Sequence, residues 1–169
     1  MQKSNSVKLN FIYNFSLNMI NVIFPLIMIP YVFQKLGAEN FGKYNFAISF
    51  SQWFLVFAAF GTGVYGVREI AKSRNNQKKL DNTFTEIFLL NFIATISSFI
   101  IFLVFVVLNP KTNSEIELFL VVSLSILLNI FSVDWLYMGL ENFKIITIRT
   151  IIIKFICLIG IIFFIKGQE

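Results

Sequence analysis

The sequence predicts an all-α, polytopic transmembrane helix bundle of about five spans, and three observations carry that reading. Apolar residues make up 57% of the 169-residue chain and charged residues 14%, where a soluble domain is about half apolar and a quarter charged. Mean hydropathy is +0.77. The charges fall in short clusters between long apolar runs, the pattern of a chain that crosses a bilayer repeatedly. The net charge of +5 is therefore no sign of a nucleic-acid binder. The same composition excludes a disordered tail, a disulfide-stapled secreted module and an ordinary soluble domain.

Three windows, 9–33, 44–67 and 87–110, contain no charged residue and exceed the roughly 20 residues a helix needs to cross about 30 Å of hydrocarbon. The first follows Lys3 and Lys8 as a signal peptide would. It is too long for one, is crossed by Asn14, Asn18 and Asn21, and has no small-x-small site behind it. A retained span over 9–33 results. Leu36-Gly37-Ala38-Glu39-Asn40-Phe41-Gly42 then reads as a tight turn into the second span, 44–67. Near its end, Gly61, Gly63 and Gly66 either permit close helix approach or break the helix. Thr83-Phe84-Thr85-Glu86 fits a capping box, which opens the third span over 84–108, and Asn109-Pro110 ends it. The fourth window, 118–132, reaches spanning length as 117–138 when Glu117 and Asp134 lie at the two interfaces. The fifth span, 146–165, contains Arg149 and Lys154. No connection is long enough for a separate soluble domain, so 1–169 is one transmembrane domain.

Orientation follows from the basic residues in the short connections. Lys3 and Lys8 precede the first span, and Arg68, Lys72, Arg74, Lys78 and Lys79 lie between the second and third. The first connection has Lys35 and Lys43 around Glu39, and the third sets Lys111 against Glu115 and Glu117. The N-terminus and the even connections are therefore expected in the cytoplasm, with Lys166 outside. The basic run also suits anionic lipid headgroups.

The inventory removes whole classes of chemistry. With no histidine, His-based metal sites, Ser-His triads and His proton relays are absent. No Gly-rich phosphate loop, HExxH or paired zinc spacing occurs, so no catalytic residue, metal or cofactor is assigned. Cys157, the single cysteine, is expected to pack in an apolar run. The 22 Phe accompany abundant Ile, Asn and Lys, as A/T-rich codons would produce.

Polar residues within the spans form stripes. Asn10, Asn14, Asn18, Asn21 and Pro25 are spaced 4, 4, 3 and 4 apart and so share one helix face. Asn45, Ser49 and Gln52 repeat the pattern, as do Asn91, Thr95 and Ser98, then Ser125, Asn129 and Ser132, then Thr147, Thr150 and Lys154. Each residue alone reads as interhelical hydrogen bonding, worth about 0.6 kcal/mol. Together the stripes suggest a hydrated cavity, with Asn14, Asn18, Asn21, Asn45, Gln52 and Asn129 as lining candidates. Pro25 and Pro30 are candidate hinges, or static kinks. A charge at the bilayer centre costs at least about 2.5–3.5 kcal/mol, which makes Arg149 and Lys154 functional candidates. Arg149 alternatively snorkels to the interface. Asp134 and Glu141, seven apart, share a face if their helix is continuous; they are the nearest acidic partners in sequence for such cations, in a structural ion pair at the helix ends or as a coupling-ion site.

The run Asp134-Trp135-Leu136-Tyr137-Met138-Gly139-Leu140-Glu141-Asn142-Phe143-Lys144, followed by Ile148-Arg149-Thr150 and Lys154, resembles the fourth-to-fifth span region of Wzx-type oligosaccharide flippases. Leu36 to Tyr44 resembles that family's first turn, and Val67-Arg68-Glu69-Ile70-Ala71 the end of its second span. The resemblance covers almost the whole chain. It implies membership in the multidrug/oligosaccharidyl-lipid/polysaccharide exporter superfamily, with two lobes of helices around a cationic cavity. The implied function is movement of undecaprenyl-diphosphate-linked repeat units across the bacterial cytoplasmic membrane for capsule or O-antigen assembly, beside other polysaccharide-assembly proteins. Arg149 and Lys154 match the family's fifth-span basic positions, expected to attract the lipid diphosphate, and Arg68 matches a basic position at the end of span two. Family members have roughly a dozen or more spans, so these five would be an N-terminal lobe of a longer protein. Two alternatives stand beside this reading. A drug/cation antiporter of the same superfamily calls for a buried acidic residue in the early spans. An integral-membrane polymerase calls for a large outer loop or an acidic catalytic motif.

Overall fold

The computed structural model describes residues 7–164. Lys3 and Lys166, used above for orientation, and position 165 of the expected fifth span lie outside them. Among the described residues every regular element is helical: α1 (Val7–Ala59), α2 (Thr62–Ser73), α3 (Gln77–Leu108), α4 (Pro110–Asn113), α5 (Ile116–Leu128), α6 (Asp134–Gly139) and α7 (Phe143–Phe164), with a 3-10 turn at Asn129–Phe131. Four stretches are long and apolar enough to cross a membrane, namely Lys8–Ser73, Gln77–Leu108, Ile116–Gly139 and Phe143–Phe163. Their outer surfaces are apolar, with Val64 at 85% and Phe163 at 72% exposure. Water would not tolerate such faces, whereas lipid tails are as apolar as they are. The fold is an all-α polytopic membrane bundle.

The first stretch runs 66 residues, about 100 Å if straight. Gly37 interrupts it with φ 73° and ψ 169°, torsions essentially reserved for glycine. The expected seven-residue turn is thus compressed into one residue, because 38–42 are helical. Asn40 Nδ2 donates to the Leu36 carbonyl across the break at 3.2 Å, satisfying an acceptor that the interruption would orphan. Farther on, Phe60 (φ 42°) and Gly61 (φ 70°) separate α1 from α2. Pro25 and Pro30 lie inside α1 without disturbing its helical torsions.

Three expectations need correction. The third helix begins at Gln77, well before Thr83, because Asn76 is its cap: the Asn76 side chain accepts the Lys79 N–H at 3.1 Å. Asp134 and Glu141 do not share a continuous helix, since α6 ends at Gly139 and Glu141 is left-handed at φ 57°. Cys157 is exposed on the apolar surface and not packed inside. By contrast, Asn109 ends α3 in an extended conformation, as expected of a residue before proline, and Pro110 opens α4.

The chain divides into two compact units, one of Met1–Gly42 with Glu141–Glu169 and one of Lys43–Leu140. In the second, Ala47 and Ala58 of α1 are buried with Phe102 and Val106 of α3 and with Phe119, Val122 and Ile126 of α5. Phenylalanine fills this core. Phe50 lies 5.2 Å from Phe54, 5.8 Å from Phe102, 5.0 Å from Phe105 and 6.0 Å from Phe119, centroid to centroid, in the tilted and edge-on geometries aromatic rings prefer. A second core joins Ile70, Ile87 and Trp135. There α2 and α6 meet glycine to side chain in both directions. A Cβ on Gly66 would stand 2.8 Å from the Trp135 ring, and one on Gly139 would stand 2.7 Å from Ile70. Of the two alternatives for the glycines, Gly61 takes the helix break and Gly66 the close approach.

Candidate functional site

Within the first unit, α1 meets α7 along a seam. On α1 Leu17 and Met28 are buried, and on α7 Ile146 and Thr147, and two polar contacts join the helices. Thr147 Oγ1 donates to the Tyr13 carbonyl at 3.0 Å, an alternative to its own-helix bond to Phe143 at 2.9 Å. Seven residues further along each helix, Lys154 Nζ donates to the Ile20 carbonyl at 3.0 Å and to Asn21 Oδ1 at 2.8 Å. Numbers rise together from 13 to 20 and from 147 to 154, so the two helices run parallel. Seven residues are two turns, which keeps both contacts on one face.

Lys154 is the twelfth of the 22 residues of α7 and meets α1 near the middle of the 9–33 window. Its ammonium stands 5.1 Å from the centroid of the Phe24 ring, within cation–π range. Every group it touches is neutral: an amide oxygen, a backbone carbonyl and an aromatic face. Among the described residues no carboxylate forms an ion pair with it. Hydrogen bonds hold the charge in place without cancelling it.

The other candidates are arranged less tightly. Arg149 is half-buried and has a partner, and five helical residues put it about 140° around α7 from Lys154. The two cations therefore do not project from one face. Asn14 and Asn18 are exposed and bonded to each other at 3.3 Å. Asn10, higher on the same stripe, has a buried amide oxygen without a partner.

Asn45, Gln52 and Asn129 belong to the second unit. Asn45 and Gln52 are exposed. Asn129 Nδ2 reaches Asn91 Oδ1 at 3.4 Å and Thr95 Oγ1 at 3.3 Å, while Asn91 Nδ2 donates to the Asn129 carbonyl at 3.4 Å. Two of the polar stripes thus meet each other. Several hydroxyls are satisfied by backbone carbonyls, as in Ser98 to Phe54 at 2.6 Å across helices and Ser125 to Val122 at 2.7 Å within one.

At its two ends the second unit is fastened differently. Lys43 pairs with Glu115 at 2.8 Å, joining the residues just before the 44–67 and 117–138 spans. The Gly66–Trp135 and Gly139–Ile70 contacts join the ends of the same two spans. Arg68, Lys72, Arg74, Lys78 and Lys79 are all exposed around the α2–α3 turn, with Lys72 paired to Glu69 at 2.7 Å. Among the described residues no group of three acidic or cysteine side chains could hold a metal ion.

The missed partner of Lys154 is the Ile20 carbonyl. A sequence names side chains, and backbone acceptors leave no mark in it.

Comparison with known proteins agrees with this architecture. A protein of Escherichia coli (strain K12) named "Putative O-antigen transporter" is 24% identical over 147 residues, which is 87% of this chain and 35% of that protein. The chain thus spans about a third of the length of the curated relative it matches. No solved structure matches it. The family described as polysaccharide biosynthesis protein matches residues 7–168, nearly the full sequence. This multi-pass helical membrane chain belongs to the polysaccharide biosynthesis protein family.

Proposed function

We propose that the chain is part of a carrier that flips undecaprenyl-diphosphate-linked oligosaccharide repeat units from the inner to the outer leaflet of the bacterial cytoplasmic membrane. No chemical step is catalysed in this reading. The observation that carries it is Lys154, a cation at mid-helix whose partners among the described residues are all neutral. An uncancelled charge in hydrocarbon is expensive, and it is retained where an anion comes to meet it. A lipid diphosphate fits: its tail stays in the bilayer while the headgroup passes through a hydrated, positive path. With the cytoplasm negative, each negative charge moving outward gains about 2.3 kcal/mol per 100 mV. An antiporter for cationic drugs would need a carboxylate where this chain has an ammonium.

Five spans, with the N-terminus in the cytoplasm, complete the proposal. A 66-residue stretch has the length of two crossings, and its Gly37 break separates them. The parallel run of α1 and α7 fits spans separated by an even number of crossings. Lys43 with Glu115 ties two connections that this topology puts outside. The α2–α6 contacts tie two ends that it puts inside, next to the basic turn. Pro25 and Pro30 are proposed as hinge points for alternating access, each removing one helical hydrogen bond.

The test is polymer export in cells that depend on the full-length protein. Lys154→Ala is expected to abolish export at normal membrane abundance, Lys154→Arg to retain much of it, and Arg149→Ala to impair it less. Normal export by Lys154→Ala would defeat the assignment.

A further inference from the structure

Asn21 does more than line a path. We infer that Asn21 is a positioning residue that competes with the anionic headgroup for Lys154, an inference resting on the flippase reading above. Asn21 Oδ1 holds the ammonium at 2.8 Å and the Ile20 carbonyl holds it at 3.0 Å. An ammonium has three N–H donors, and two of them are committed to α1. A diphosphate carries several oxygens: one can take the remaining donor, and a second charge-assisted bond forms only by displacing an acceptor on α1. The amide is the displaceable partner. Asn21 is exposed and its side chain turns about its own torsions, whereas the Ile20 carbonyl is fixed in the helix. Anion capture therefore loosens the α1–α7 seam at its centre, four residues before Pro25, and loss of the anion restores it.

The chemistry predicts opposite effects from two substitutions at one position. Asn21→Ala removes the competitor and leaves the ammonium better available. Asn21→Asp replaces a neutral acceptor with a carboxylate, which cancels the charge. Hydrogen bonds to charged groups are worth enough that each change is expected to move anion affinity about tenfold, tighter for Ala and weaker for Asp. Purely structural damage to the seam would move both the same way. Leu17→Ala removes a buried side chain one turn before Asn21 on the same face of α1 and leaves the acceptors of Lys154 in place; because capture loosens the seam, it is expected to tighten binding slightly, by well under the shift of Asn21→Ala.

The experiment is titration of farnesyl diphosphate against the full-length protein in phosphatidylcholine nanodiscs, for the wild type, these three variants and Lys154→Gln. The inference is supported when the wild type binds through Lys154 and the two Asn21 variants shift in opposite directions. Binding that depends on Lys154 but shifts the same way, or not at all, in both variants overturns the role of Asn21 and leaves the flippase reading intact. Wild-type binding unaffected by Lys154→Gln overturns both. A repeat with phosphatidylglycerol in the discs separates sources of the anion: competition that erases farnesyl diphosphate binding assigns the site to bulk lipid headgroups and overturns the inference.

Discussion

Gly139→Ala adds one carbon where α6 crosses α2, and its cost can be worked from the contact distances. The new Cβ would lie 2.7 Å from Ile70 Cβ and Cγ2 and 2.9 Å from the Val67 carbonyl oxygen. Carbon atoms in comfortable contact stand about 3.5–4.0 Å apart, so the helices must separate by about 1 Å. None of these neighbours can yield cheaply. One is backbone, and Ile70 is β-branched and 0% exposed. Overpacking of this kind costs about 1–3 kcal/mol, against a gain of up to about 1 kcal/mol from replacing glycine in a helix. The net expectation is a loss of about 1–2 kcal/mol. Gly63→Ala on α2 is the matched control, because a Cβ there meets nothing within 4 Å. It should gain up to about 1 kcal/mol. Reversible unfolding of both variants in detergent micelles reads the difference. A Gly139→Ala protein as stable as Gly63→Ala would refute the account of how α2 and α6 pack.

Gly37→Ala tests a purely torsional cost, since nothing lies within 4 Å of the position; the glycine-only conformation predicts a loss of about 1–3 kcal/mol in the same unfolding assay. Asn76→Ala removes the cap of α3, and should cost about 1 kcal/mol with faster hydrogen exchange at the Lys79 amide. Asn129→Ala breaks two side-chain bonds of 3.3–3.4 Å to α3 and, at about 0.6 kcal/mol per bond, should cost about 1 kcal/mol. In a double-mutant cycle with Asn91→Ala the two losses should not add.

Much of the fold was written in residue types whose effect is local. Charge-free windows locate the long helices because hydrocarbon tolerates little else. Asn109-Pro110 marks the end of α3 because proline restricts the residue before it. The cap of α3 escaped because the Thr83 capping box stands at the edge of the apolar window, whereas Asn76 and the polar residues from Gln77 extend the helix below it. The break after α6 escaped for a different reason: Glu141 takes φ 57° without being the glycine that would announce it. At the site, a charge within an apolar span singled out Lys154 and stripe spacing singled out Asn21, 133 residues apart, without indicating that they meet. The pairing depends on the register between α1 and α7, which the Thr147–Tyr13 bond two turns earlier also marks. Arg149 looked equivalent to Lys154 in composition, and helix geometry separates them.

The central claim is that an uncancelled ammonium at mid-membrane serves the passage of a lipid-linked diphosphate. The direct measurement reconstitutes the full-length protein in liposomes carrying a fluorescent undecaprenyl-diphosphate oligosaccharide, with a membrane potential imposed. A quencher that cannot cross the membrane then reports how much label reaches the outer leaflet. The account predicts protein-dependent translocation that Lys154→Ala abolishes and Lys154→Arg largely preserves. Translocation at the wild-type rate by Lys154→Ala would contradict it.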